Sequence, residues 1–383
     1  MPLSYIKKSF ILIAVLMGLA LFAWRLFSTP PGAPPSGIAD GPAAASCPVR
    51  EPPLSFPVVG ISQDWWESAG TIYYGIPARI LFRLGNDPFN RPEALAKDAW
   101  NEFDRIGNIF NPFDPCSDLS IFNKTKRPGR ITVSPDIIKI LTASRQLWLE
   151  SNGFFDPTAW RIKQLWMDAE KKQLLPKDID IIAALASTGF DKIDMNDPSG
   201  LTVAKTEPEI TLDFGGIVKG YAVDRVRGIL EEAGVTAGLV QLGGEISAFG
   251  DNDGNPWRIG IQHPTIMNQI YGIVSHHGHI RISTSGNYRQ ALHIENQTFY
   301  HIFNPKTGYP VTDEILGVTT ADFSGRVSSA VIDGAATAIT VMGFSPGMAF
   351  AQQLGIEAMI LYKTADGSIG AHYTPGFLEY YQR

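Results

Sequence analysis

The chain has two cysteines in 383 residues, Cys47 and Cys116. Two thiols build neither a disulfide framework nor a cysteine-based zinc site, and they read as a linker thiol and a loop thiol. Basic side chains are also few, 32 against 38 acids. Residues 1–27 hold Lys7, Lys8 and Arg25 and no acid, which leaves 29 basic and 38 acidic residues beyond them, a net of −9. Neutralising phosphates takes a clustered cationic excess, so nucleic acid is excluded as a partner of this acidic region. No internal repeat is visible. With 44% hydrophobic and 18% charged residues, the chain is expected to bury a core.

Long apolar runs are missing too. The uncharged stretch from Phe10 to Trp24 is 15 residues long, short of the ~20 of a comfortable membrane span. Leu26 and Phe27 extend it, Arg25 can snorkel, and Lys7 and Lys8 keep the N-terminus cytoplasmic. Residues 1–27 therefore read as an export signal or a signal anchor. Residues 28–57, rich in Pro, Gly and Ala, read as an extended tether. Cys47 follows Ala44-Ala45-Ser46, a faint lipoprotein-type box, but the apolar run ends some 20 residues earlier. Residues 58–383 are expected to fold.

Apolar residues at helical spacing predict helices over Glu93–Phe110 and Ser134–Glu150, the second opened by a Ser134 cap and Pro135. Further helices are predicted over Gly220–Glu232, before Gly234, and over Ser328–Met342, before Gly343. Strands are predicted at Gly238–Leu242, Arg258–Gln262, Tyr271–Ser275, His279–Ser283 and Ala291–Glu295. Helices and short strands in irregular order indicate an α+β fold.

Four polar motifs stand out. Asp213-Phe214-Gly215-Gly216-Ile217-Val218-Lys219-Gly220 sets an acid, paired glycines and a lysine ahead of a helix. It fits an anion site or an ordinary turn, and it is neither a Walker loop nor a dinucleotide fingerprint. Asp333 and Thr337, four apart on a helix, share a face among Gly334, Ala335 and Ala336. That is an oxygen-only surface open to Mg²⁺, or an unremarkable solvent face. His301, ahead of the Asn304–Pro310 loop, is placed for a general base or for a structural strand end. His276, His277 and His279 read as a hairpin turn and not as a metal site.

In order and spacing these motifs closely resemble the FAD:protein FMN transferase (ApbE) family, from about Ser68 to Gly343. The similarity is carried by Ala69-Gly70-Thr71, by Phe113-Asp114-Pro115 through Asn123, and by Phe155-Asp156-Pro157-Thr158 with Leu165-Trp166. It continues in Asp213 to Asp224, Leu242 to Glu245, Ser283 to Tyr288, His301 to Gly308 and Asp333 to Thr337. The resemblance implies an α+β flavin transferase fold with antiparallel or mixed sheets. It implies an enzyme that splits the FAD pyrophosphate, attaches FMN to a Thr or Ser of an acceptor protein and releases AMP. FAD hydrolysis, and flavin binding without chemistry, are the alternatives. By resemblance, Gly216, Asp333 and Thr337 hold Mg²⁺, Lys219 adds a positive contact, and Asp213 lies beside the flavin nucleotide. Ala69, Phe113, Phe154, Phe155 and Asp156 fall on flavin-contacting positions, and His301 is the candidate base. The implied acceptor is a subunit of a membrane redox complex, with the catalytic domain facing the periplasm from the bacterial inner membrane.

Five positions depart from the family pattern. Ala69 stands for Met, Phe113 for Tyr, Glu245 for Asp, Asn287 for Asp and Asn304 for the Asp after His301. Asn304 is expected to matter most, if the acid it replaces polarises His301, because an amide cannot stabilise an imidazolium by charge.

Overall fold

The structure, a computed structural model, describes residues 54–62, 64–73, 75–85, 91–126, 129–266, 268–286, 291–312 and 314–383. The expected anchor, most of the tether, Cys47 and Asn287 lie outside the described residues. The first elements are β1 (Val58–Gly60), β2 (Trp65–Ile72), β3 (Ile76–Arg83), α1 (Pro92–Phe110), α2 (Asp118–Lys124) and β4 (Arg130–Thr132). There follow α3 (Pro135–Glu150), α4 (Trp160–Lys172), α5 (Asp178–Ala186), β5 (Ile193–Asp194), β6 (Thr202–Lys205) and α6 (Val218–Glu232). A strand-rich stretch comes next, with β7 (Ala237–Leu242), β8 (Glu245–Phe249), β9 (Trp257–Gln262), β10 (Ile270–His276), β11 (Ile280–Gly286), β12 (Ala291–Ile294), β13 (Gln297–Tyr300) and β14 (Ile315–Asp322). The chain then runs through α7 (Ser329–Met342), α8 (Phe344–Leu354), β15 (Glu357–Lys363), β16 (Ile369–Tyr373), α9 (Phe377–Tyr380) and β17 (Tyr381–Gln382).

Nine strands form the central sheet in the order β1-β2-β3-β7-β8-β11-β14-β15-β16. Neighbours in it pair antiparallel, which makes the fold α+β as the irregular element order predicts. Successive strand side chains alternate between faces. In β3, Ala78, Ile80 and Phe82 enter one core while Leu81 enters another. Both faces are covered, so β7 and β8 are buried at every residue, Gln241, Glu245 and Ser247 included. Helices α1, α3, α6 and α7 fill the first face. The second is filled by β9 and β10, which pair with each other, by β17, which pairs with β10, and by Phe377 of α9.

A third, smaller core joins α4 and α5 to the β12–β13 hairpin through Ile162, Trp166, Ile181 and Ile294. It is the platform for the segment that carries His301. Serine caps set two helix starts. Ser134 accepts from Ile137 N at 3.5 Å, and Ser328 accepts from Val331 N at 3.3 Å. The helix expected from Gly220 begins at Val218, which puts Lys219 in its first turn. The three-histidine segment is a turn between β10, which ends at His276, and β11, which starts at Ile280, but not the expected hairpin, because β10 pairs with β9 and β17 while β11 pairs with β8 and β14 of the central sheet.

Candidate active site

The segment after Thr211 is fixed from two sides. The Asn123 amide donates to Leu212 O at 2.9 Å and accepts from Leu212 N at 2.7 Å, while Asp213 N donates to Pro157 O at 2.7 Å. The Asp213 carboxylate so placed accepts from Lys163 Nζ at 2.8 Å and from Gly215 N at 2.9 Å. Burial favours the neutral acid, but Lys163, the Gly215 N–H and the nearby His301 outweigh it and hold Asp213 below the usual carboxylate pKa.

Helices α6 and α7 cross at Gly220, where an added β-carbon would lie 2.1 Å from Ser329 O, so the approach requires glycine. The crossing sets Asp333, 1% exposed, against the start of α6. Asp333 Oδ2 accepts from Gly220 N at 3.0 Å, and Lys219 Nζ stands 3.4 Å from Oδ1. The same ammonium lies 3.4 Å from Glu245 and donates to Gly215 O at 3.3 Å. Burial works against its charge, yet Asp333 and Glu245 prevail and raise the Lys219 pKa above the usual lysine value. Glu245 in turn accepts from Ser283 Oγ at 3.3 Å.

One helical turn beyond Asp333, Thr337 Oγ1 donates to Gly216 O at 3.5 Å. A β-carbon at Gly216 would stand 2.9 Å from that hydroxyl, so the loop and the helix meet here only because residue 216 lacks a side chain. Asp333 and Thr337 share a face by their spacing. With the Gly216 carbonyl they present a carboxylate, a hydroxyl and a carbonyl, an all-oxygen donor set of the kind hard divalent cations take. Among the described residues no cluster of three or more His, Cys, Asp or Glu side chains offers another metal centre.

The His301 segment is tied to α4. Trp166, 2% exposed, donates from Nε1 to Gly308 O at 2.9 Å and packs 4.9 Å from the Phe299 ring. Within the loop, Asn304 N donates to Tyr309 O, and Gly308 N donates to Asn304 O, both at 2.8 Å. His301 opens this loop and lies close enough for its charge to lower the Asp213 pKa. The Asn304 side-chain oxygen accepts from Lys306 N at 2.9 Å. An amide oxygen fills that role as a carboxylate would.

The remaining predicted positions separate into rim and framework. Phe113 is 61% exposed, edge-on to Trp160 at 5.8 Å, and helps line a cleft of about 560 Å³ along α4 and α5 with Arg161 and Leu165. Phe154 lies under Lys306 Nζ at 4.1 Å. Phe155 is buried in the main core, close against Gly334 of α7. Asp156 accepts from Thr158 N at 2.8 Å, from Thr158 Oγ1 at 2.5 Å and from Phe190 N at 3.2 Å. Burial outweighs those donors and pushes its pKa up to about 6. Ala69 is exposed on β2, two strands and roughly 10 Å from β7. The structure thus brings together Asp213, Gly216, Lys219, His301, Asp333 and Thr337. It sets Phe113 and Phe154 at the edge and uses Phe155 and Asp156 to hold the loop.

Sequence reasoning passed over Lys163 and gave Asn123 no role. Asn123 closes a motif segment and could have been found there. Lys163 is an ordinary helical lysine in sequence, and only the fold sets it on Asp213.

The sequence matches the ApbE family over residues 74–360. A FAD:protein FMN transferase of Vibrio cholerae is 31% identical over 281 residues, covering 72% of this chain and 82% of that protein. A FAD:protein FMN transferase of Chlamydia muridarum is 31% identical over 278 residues, covering 70% and 84%. Among solved structures, flavin transferase ApbE from Vibrio cholerae superposes with a TM-score of 0.71 at 27% identity, over 85% of this chain and 100% of the other. The apo form of Pseudomonas stutzeri flavinyl transferase ApbE gives 0.72 at 27% identity, over 84% and 98%. The family match spans the Asp213 loop, the His301 loop and the Asp333 helix alike, and the chain belongs to the ApbE family.

Proposed function

We propose that the protein is a Mg²⁺-dependent FAD:protein FMN transferase, which breaks the FAD pyrophosphate, forms a phosphoester between FMN and an acceptor Thr or Ser, and releases AMP. The observation that carries this reading is the convergence of Gly216 O, Thr337 Oγ1 and Asp333 beside Lys219, with Asp213 and His301 on the adjoining segments. The three oxygen donors fit Mg²⁺, which when bound would neutralise pyrophosphate charge. Lys219, fixed between Asp333 and Glu245, supplies a preorganised cation for the charge that develops on the phosphate oxygens. His301 takes the proton of the acceptor hydroxyl as its oxygen attacks phosphorus, and ionised Asp213 stabilises the imidazolium so formed. Phe113 and Trp160 offer aromatic surface to the flavin ring at the cleft edge. The acceptor belongs to a membrane redox complex, and residues 1–27 tether the enzyme to the inner membrane with its catalytic domain in the periplasm. Lys7, Lys8 and the Phe10–Trp24 run support that placement.

The test incubates the chain from Arg50 onward with FAD, Mg²⁺ and an acceptor carrying a threonine flavinylation sequence, followed by intact mass spectrometry. A gain of one FMN phosphoester, abolished by EDTA, is expected. Free FMN and AMP with an unmodified acceptor would replace the transferase with a hydrolase, and FAD bound but unreacted would leave a flavin-binding protein.

A further inference from the structure

A second concavity, of about 780 Å³, opens at the end of the central sheet beside the His301 segment. Tyr300, the residue before His301, lines it together with Leu316 at the start of β14, Tyr271 of β10 and the β15–β16 turn. Its charged side chains are Lys363 and Arg383, with His263 beside them, and no Asp or Glu side chain is among its lining residues. Lys363 and Arg383 are exposed, and the Arg383 guanidinium lies 4.9 Å from the centre of the Tyr271 ring. Asp366, on the same β15–β16 turn, accepts from Thr364 and Ser368, which turns its carboxylate back on its own turn. A cationic, aromatic groove is an exception on a chain that carries a net of −9 beyond its first 27 residues.

The groove borders the active-site segment at Tyr300, the residue before His301. Successive residues of an extended chain advance about 3.3–3.6 Å each, so a segment lying in the groove comes within a few residues of His301.

We propose that this groove docks an acidic segment of the acceptor protein, the carboxylates meeting Lys363 and Arg383 and the apolar part of the segment resting on Tyr271 and Tyr300. The proposal rests on the transferase reading and names how the acceptor is recognised. Charge complementarity of this kind acts on encounter and specificity. The effect therefore falls on acceptor KM and on its salt dependence, while FAD is held elsewhere.

Two measurements test it. In the first, a fluorescein-labelled peptide with three aspartates ahead of a threonine, and its asparagine counterpart, are titrated with FAD-loaded full-length protein and followed by anisotropy. The aspartate peptide is expected to bind at least about tenfold tighter, an advantage lost in the Lys363→Glu/Arg383→Glu variant and at high salt. In the second, acceptor KM is expected to rise at least about tenfold in that variant while FAD affinity, read by flavin fluorescence, stays within twofold. Lys363→Gln replaces the double variant if thermal melting shows that it is misfolded. Equal binding of the two peptides, or acceptor KM and peptide binding unchanged in the variant, overturns the docking proposal. Absence of FMN transfer by the wild type overturns the transferase reading instead, and the peptide titration still decides the groove.

Discussion

Gly216→Ala is the sharpest test of the oxygen-donor cradle, because it adds one carbon to the protein and removes no group. The new β-carbon falls 2.9 Å from Thr337 Oγ1 and 3.3 Å from Thr337 Cγ2, against an ordinary contact of 3.4 Å or more. The backbone at 216 is not in the left-handed region, so alanine carries no conformational penalty of its own. The strain must be relieved by about 0.5 Å of loop movement or by rotation of a threonine whose χ1 is stiff, at a cost of about 1–3 kcal/mol. Either response turns the hydroxyl away from the Gly216 carbonyl. The assay is thermal denaturation with FAD, with and without Mg²⁺, alongside FMN transfer. A ligand at 100 times its Kd adds about 2.7 kcal/mol, and for a domain of this size that is roughly 5 °C. The wild type is expected to show this shift and Gly216→Ala to lose it together with most transfer. In Gly216→Ala/Thr337→Ala the clash is gone, so stability should recover while the Mg²⁺ shift does not. A Gly216→Ala protein as stable as the wild type, with the Mg²⁺ shift intact, would refute the cradle.

Lys163→Met should expose the balance at Asp213. Its folded pKa is lowered in the wild type, so its contribution to stability is present above the unfolded value of about 3.9 and is lost as pH falls through the lower folded value. Without Lys163 burial dominates and the folded pKa rises, so the variant should be less stable at pH 7 by about 1–3 kcal/mol and close the gap toward pH 4. Urea unfolding at both pH values checks this, and a pH-independent deficit would contradict it. Trp166→Ala removes a buried indole and the Gly308 hydrogen bond, for an expected loss of about 3–5 kcal/mol. Trp166→Phe should keep the packing but loosen the His301 loop, lowering kcat more than it lowers stability. Asn304→Asp should leave transfer within about threefold, because a carboxylate accepts from Lys306 N as the amide does. A rise beyond tenfold would show that an acid at 304 acts on His301.

Sequence alone determined the elements whose signals are local. The helix α1 follows from apolar spacing, α3 and α7 from apolar spacing with a serine at the N-cap, and β7 and β9–β12 follow from short apolar runs between turn residues. The family resemblance was legible because its motifs sit in loops and helix starts, where residue type is dictated by close backbone approach and by polar contacts. Tertiary structure decided which of those residues share a site. Nothing in the chain order shows that Gly216 and Thr337, 121 positions apart, exclude a β-carbon between them, or that Lys163 neutralises Asp213. Likewise Phe155 and Asp156, which resemblance places at the flavin, spend their contacts on the core and on their own loop. Local sequence specifies propensity and chemical type. Burial, opposing charges and the crossing of α6 with α7 arise only when distant segments pack, and they set the ionisation of Asp213 and Lys219 and the meeting of Asp333, Thr337 and the Gly216 carbonyl.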